Sequence, residues 1–174
     1  MPIELVRRFP VDDAQLSALH ARAFGGDPGH VRRWAERLER HALTWIGAFD
    51  AGGDRKLVGF VQVGWDGATH AILLDTAVDP DRQHSGIGAD LVRAATAEAR
   101  AAGCEWLHVD FEPHLAQFYL DRCGFRPTAA GLIHLTGPAE SVYRVNGGGQ
   151  QGQPEAEDDI WSGHGHRRTR GDDG

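Results

Sequence analysis

The sequence predicts a mixed α/β fold of the α+β kind, a mostly antiparallel central sheet flanked by about four helices. Three observations carry this. Residues 43 to 49, 56 to 65 and 69 to 78 are successive β-rich runs separated only by turn-forming segments, the pattern of consecutive antiparallel strands. Ile87, Leu91, Ala95 and Ala99 recur four apart, which marks one buried helical face. The chain has 174 residues, 41% apolar and 25% charged, enough for one domain with a core and too few for two ordinary ones.

In chain order, Ile3 to Phe9 is rich in β-formers and ends at Pro10, so it is read as the first strand. Over 11 to 24, Leu16, Leu19 and Ala23 share one helical face, and Asp12 and Asp13 favour the start through the helix dipole. Gly25-Gly26-Asp27-Pro28 then breaks the chain, and Val31, Trp34 and Leu38 predict a second helix over 29 to 41. Asp50-Ala51-Gly52-Gly53-Asp54 has the composition of a hairpin turn, and Trp65-Asp66-Gly67-Ala68 makes the next turn. The third helix, 86 to 102, ends at Gly103, where a C-terminal glycine belongs. Glu105 to Asp110 reads as a buried strand, Pro113 to Arg122 as a helix opened by proline, and Leu132 to Leu135 as a last short strand. A further strand at 125 to 128 is left open.

The formal net charge of −7 argues against a nucleic-acid-binding surface, which needs a basic stripe. No apolar run approaches the ~20 residues that cross a bilayer, and Met1-Pro2-Ile3-Glu4 does not open a secretory signal. Cys104 and Cys123 stand at neither a CxxC nor a metal-ligand spacing, which suits packing residues in a reducing compartment. The expectation is therefore a cytoplasmic protein free of membrane and nucleic acid. After Pro138 the hydrophobic period gives way to Gly147-Gly148-Gly149 and mixed charges, so the expected division is a folded domain over 1–137 and a disordered tail over 138–174. His164 and His166 lack partners at a fixed spacing, and no metal site is expected.

The chemistry-bearing segment runs from Val78-Asp79-Pro80 through Gln83-His84-Ser85-Gly86-Ile87-Gly88 into the third helix. A strand-to-helix junction of this kind binds anions: backbone N–H groups point outward, the helix dipole adds positive potential, and glycine permits close approach of phosphate oxygens. A diphosphate is the natural occupant. There is no GxxxxGK[ST], and Leu91 stands where a Rossmann third glycine would be.

With Gln83, Gly86 and Gly88 satisfying [QR]-x-x-G-x-[GA] after Val78-Asp79-Pro80, and Phe118-Tyr119-Leu120-Asp121-Arg122-Cys123-Gly124-Phe125 following, the chain resembles the GNAT superfamily of N-acetyltransferases. The resemblance covers roughly residues 3 to 136. It implies the GNAT fold, with a V-shaped opening between the strands at 69–78 and 105–110 that takes the pantetheine of acetyl-CoA. It further implies that Thr76, Ala77 and Val78 contact the acetyl and pantetheine units, and that Gln83, His84, Ser85, Gly86, Ile87, Gly88 and Ala89 hold the pyrophosphate. The implied reaction is direct acetyl transfer from acetyl-CoA, as cosubstrate, to a primary amine of a small molecule or peptide, with no metal.

By the same resemblance Tyr119 is the general acid for the departing thiolate; the other reading is an aromatic packed beside Phe118. Asp75 lies where some members place an acid that receives the amine, a structural role being equally open. Asp110 and Glu112 are candidates to act through water. Glu112 stands where many members carry a CoA-contacting Asn, so that contact is not carried over. His70, His108 and His114 lie near the expected cleft without an assigned role. A non-catalytic acyl-CoA sensor and an interaction domain are the alternatives, and monomer or homodimer is left open. The acceptor is expected to meet 24 to 34 and 126 to 131; the acidic excess favours a cationic amine, and Trp34, Trp45 and Trp65 either line a pocket or pack in the core.

Overall fold

A computed structural model describes residues 2–27, 29–52, 55–133 and 135. The chain divides after Thr128, and every element below precedes that point. They are β1 (Ile3–Arg7), α1 (Asp13–Phe24), α2 (Trp34–His41), β2 (Ala42–Asp50), β3 (Leu57–Trp65), β4 (His70–Val78), α3 (Ile87–Ala101) and β5 (Trp106–Val109). A 3-10 turn (Pro113–Leu115) and a π-helical turn (Gln117–Arg122) follow. One sheet runs β1-β2-β3-β4-β5, antiparallel as far as β4, with β5 parallel to β4.

Strand alternation sorts the core onto the two faces of this sheet. Ile46 and Ala48 of β2 pack with Ile87, Leu91, Ala95 and Ala99 of α3. Trp45 and Phe49, their neighbours in sequence, pack with Leu16, Leu19, Trp34 and Leu38 of α1 and α2. Burying side chains of this size contributes roughly 1.5–3 kcal/mol apiece, so the four-residue stripe on α3 fixes its placement. Gly59 sets the depth: a Cβ there would lie 2.9 Å from Ile87 Cγ2 and 3.0 Å from Leu91 Cδ1. Only glycine lets the start of α3 sit this close to β3.

Several expectations are corrected. The first strand ends at Arg7, because Arg8 takes a positive φ of 44°. α2 starts at Trp34 and not at 29, since side chains from α1 hold the segment before it: Ser17 Oγ accepts from Arg32 N (2.9 Å) and Asp13 Oδ1 from Ala35 N (2.8 Å). Val31 is exposed accordingly. β5 is not a buried strand, as Trp106 and His108 alternate outward on an edge. The helix over 113 to 122 is a 3-10 turn followed by a π turn. Trp65 is exposed, while Trp34 and Trp45 are core. No strand forms at 125 to 128 or at Leu132 and Ile133; His134, the whole of the expected tail over 138–174 with His164 and His166, and Gly53 and Asp54 of the hairpin turn lie outside the described residues. Gly103 does sit past the end of α3, at φ 91°.

Candidate active site

β4 carries a bulge at its centre. Phe60 pairs with Ala77 and Gln62 with Leu74, so Asp75 and Thr76 together oppose Val61, and Asp75 takes a left-handed φ of 50°. The extra residue reverses the parity of the strand: Ala71 and Leu73 face the α3 side, whereas Ala77 faces α1 and α2. Asp75 points toward the α1 and α2 side. Its Oδ1 lies 3.2 Å from His20 Nε2, and its Oδ2 accepts from Arg37 Nη2 (3.1 Å) and from the Gln62 amide.

Pairing between β4 and β5 extends only from His70 opposite Trp106 to Leu73 opposite Val109. Among the described residues, β4 then continues to Val78 with no partner along that edge, while the chain beyond Val109 turns away toward the 3-10 turn. A V-shaped opening results, bordered by Thr76, Ala77 and Val78. Tyr119 closes one side of it. Its ring stacks on Phe111 (5.0 Å between centroids, 23°) and meets Phe118 edge-on (4.8 Å). Burial pushes the Tyr119 phenol above the usual tyrosine value, and the Thr76 hydroxyl beside it pulls the other way. A phenol in this state holds its proton throughout the neutral range.

At the far end of β4 the chain enters the loop Gln83–Gly88 through a buried anchor. Asp79 accepts hydrogen bonds from Arg22 of α1 (2.7 Å), Lys56 (3.1 Å) and Asp81 N (3.1 Å). Burial alone would raise its pKa, but these donors prevail and hold the carboxyl below the usual range. Arg82 pairs with Asp50 at the end of β2, and Ser85 Oγ donates to Arg82 O (2.5 Å). His84 (φ 59°) and Gly86 (φ 91°) turn the backbone into α3. The first α3 amide with a backbone acceptor is that of Asp90, donated to Gly86 O (3.1 Å). Those of Ile87, Gly88 and Ala89 therefore face out of the helix start without an intrahelical partner. A Cβ on Gly86 would stand 3.9 Å from Arg122 Nη2, which places a guanidinium beside the amide cluster. The amide cluster and the guanidinium suit a bound diphosphate.

On the α1 side, Ser17, His20, Asp27, His30, Arg32 and Trp34 line a cleft of about 150 Å³. Trp34 Nε1 donates to Ser17 Oγ (3.0 Å) and Arg37 stacks over the Trp34 ring at 4.2 Å. His70, the first residue of β4, stacks on His108 of β5, with Nδ1 and Nε2 2.9 Å apart, at the end of β4 away from the loop; Asp110, Glu112 and His114 are exposed. Sequence reading missed His20, Arg37, Arg22, Lys56 and Arg122, which reach the site from distant positions. Only Asp79 left a local signal, as an acid before proline that caps the following turn.

The model of the Acetyltransferase (GNAT) family matches residues 13–125. The chain belongs to the GNAT acetyltransferase family. This GNAT chain is 28% identical over 95 residues, 52% of its length, to serotonin N-acetyltransferase 2, chloroplastic, of Oryza sativa subsp. japonica, and the match spans about half (48%) of that relative. Among solved structures it is similar to a Trypanosoma brucei acetyltransferase (TM-score 0.63, 18% identity, 76% of this chain and 99% of that one). It is also similar to an aminoglycoside N-acetyltransferase in complex with CoA (TM-score 0.60, 16% identity, 76% and 93%). At these identities the structures show that the GNAT fold is shared. No helix among the described residues is long and apolar enough to cross a membrane.

Proposed function

We propose that the protein is an acetyl-CoA-dependent N-acetyltransferase that moves the acetyl group directly to a primary amine of a small molecule or peptide. The observation that carries this reading is the unpaired edge of β4 leading straight into the amide cluster at the start of α3. An extended pantetheine arm pairs along that edge, and the pyrophosphate rests on the N–H groups of Gly86 to Ala89 with Arg122 beside them. Acetyl-CoA supplies the activated acyl group; the chain's own residues orient it and manage the protons.

Tyr119 is the general acid of this reading. The phenol lies beside Thr76, at the opening where the thioester sulfur comes to rest, and burial keeps it protonated. Asp75 stands across the sheet from it, behind His20 of the cleft on the α1 side. The names of the rice relative and of the aminoglycoside enzyme support an amine acceptor. Cys104 and Cys123, both free, favour the cytoplasm.

Titration calorimetry with acetyl-CoA, followed by acetyl transfer against a panel of primary amines, tests the reading. Micromolar binding with transfer to at least one amine is the expected result. Binding without transfer would instead leave a CoA-binding sensor, and absence of binding would remove the assignment of the loop.

A further inference from the structure

We propose that His20 is the base that removes the acceptor's proton, with Asp75 as its positioning residue. The inference rests on the acetyltransferase reading above and names a residue of the same site. Both oxygens of Asp75 already receive hydrogen bonds, from His20, Arg37 and Gln62, so an incoming amine finds that carboxylate occupied. His20 is different. Its Nε2 faces Asp75 Oδ1 at 3.2 Å. An ionised carboxylate only accepts, which makes Nε2 the protonated nitrogen and leaves the Nδ1 lone pair of the neutral ring free to take a proton.

The ring is held for this task. It lies 4.6 Å from Phe24 and 5.1 Å from Trp34, centroid to centroid, and its side chain is 16% exposed. That small exposure opens into the cleft shared with Ser17, Asp27 and Trp34. The charged and titratable groups around it come from every neighbouring element: Asp75 on β4, Arg37 on α2, and Asp27, His30 and Arg32 between α1 and α2. Asp75 reaches His20 only because the β4 bulge holds it at φ 50°, and backbone strain of this kind collects at functional sites. The next residue, Thr76, touches the acid on the opposite face. Base and acid thus flank one dipeptide of the strand along which the thioester lies.

The protons balance. As the C–N bond forms from the neutral, free-base amine and the C–S bond breaks, the amine nitrogen gives one proton to His20 Nδ1 and the thiolate takes one from Tyr119. The imidazolium, steadied by Asp75, then releases its proton to solvent, and the phenolate regains one. The net products are the amide and free CoA thiol.

The test uses the full chain with tryptamine, an aminoglycoside and other primary amines as probes. His20→Gln keeps an amide donor for Asp75 and removes the titrating ring. Its kcat should fall about 10²-fold or more, with acetyl-CoA affinity within twofold of wild type and an unchanged melting midpoint. The acid limb of the kcat–pH profile should vanish, and added imidazole should partly restore His20→Ala. Asp75→Asn provides a second variant: without the ionised acceptor the ring is no longer held in its Nε2–H tautomer, so kcat should fall while acetyl-CoA affinity holds. A His20→Gln enzyme keeping more than half of wild-type kcat with the same limb, or an Asp75→Asn enzyme keeping wild-type kcat, overturns the inference and leaves the acetyltransferase reading intact. Wild-type protein that acetylates none of the amines removes that reading, and the inference with it.

Discussion

Arg22 Nη2 and Asp79 Oδ1 lie 2.7 Å apart, joining α1 to the first residue of the loop that enters α3. The carboxylate is 1% exposed, and Lys56 holds its other oxygen at 3.1 Å. Asp79 N also donates to Val58 O (2.9 Å), and Asp79 O accepts from Arg82 N (2.8 Å). A single buried acid therefore ties α1, β3 and the loop together.

Replacing that acid by Asp79→Asn should cost about 2 kcal/mol at neutral pH, because charged donors lose the anion they surround. The pH dependence has a definite sign. The folded-state pKa is depressed, so the ion pairs contribute fully above the unfolded value of about 3.9. That contribution is lost as pH falls through the folded value. Urea unfolding at pH 7 and pH 3 should show the wild type losing much of its advantage on acidification, with a shallower loss in Asp79→Asn. Equal acid slopes for the two proteins would contradict the anchor.

The elements most legible in the sequence are those whose pattern is set by local packing. Ile87, Leu91, Ala95 and Ala99 are spaced for one face and all four are buried, and the three strands between 42 and 78 pair in sequence order. Gly86 of the loop was legible because its backbone conformation, φ 91°, demands a glycine. What escaped depends on partners far away in the chain. The start of α2 is set by Asp13 and Ser17 of α1, and helical spacing at Val31 carries no trace of that. Asp75 was singled out by position, but His20 and Arg37, 55 and 38 residues distant, come together with it only through the bulge. Edge placement, which exposes Trp106 and His108, is likewise a property of the assembled sheet.

Two glycines separate stability from binding. A side chain at Gly59 meets Ile87 and Leu91 within about 3 Å, so Gly59→Val should lower stability by roughly 1–3 kcal/mol through overpacking. Gly86 lies at the open start of α3, where a Cβ would meet only Arg122 Nη2, at 3.9 Å. Gly86→Trp should abolish measurable acetyl-CoA binding by filling the phosphate space beside that guanidinium. Calorimetry on a folded Gly86→Trp protein that returned wild-type affinity would sink the phosphate assignment.

Ser17 is buried and its single oxygen accepts two hydrogen bonds, from Arg32 N and Trp34 Nε1. Ser17→Ala strands both donors at the floor of the acceptor cleft, a loss of about 1–3 kcal/mol. The expected kinetic signature is a raised KM for the amine with little change in acetyl-CoA affinity. An amine KM that does not move would show that this cleft is not where the acceptor binds.

Tyr119 offers the sharpest separation of chemistry from packing. Its ring touches Phe111, Phe118 and Phe125, and its exposure is only 6%, so both roles are present in one side chain. Tyr119→Phe keeps the ring and deletes the proton, so kcat should fall about 10²-fold or more while the melting midpoint hardly shifts. Tyr119→Ala should lose activity and also about 3–5 kcal/mol of stability, through the cavity left among three aromatic rings. The raised phenol pKa fixes the alkaline behaviour. An acid must be protonated to act, so any decline in kcat from Tyr119 ionisation belongs above pH 10, and that limb should be missing from the Phe variant. Steady-state kinetics across pH, read beside the melting curves, decide between the roles. A Phe variant with more than half of wild-type kcat would confine Tyr119 to packing and leave water to protonate the thiolate.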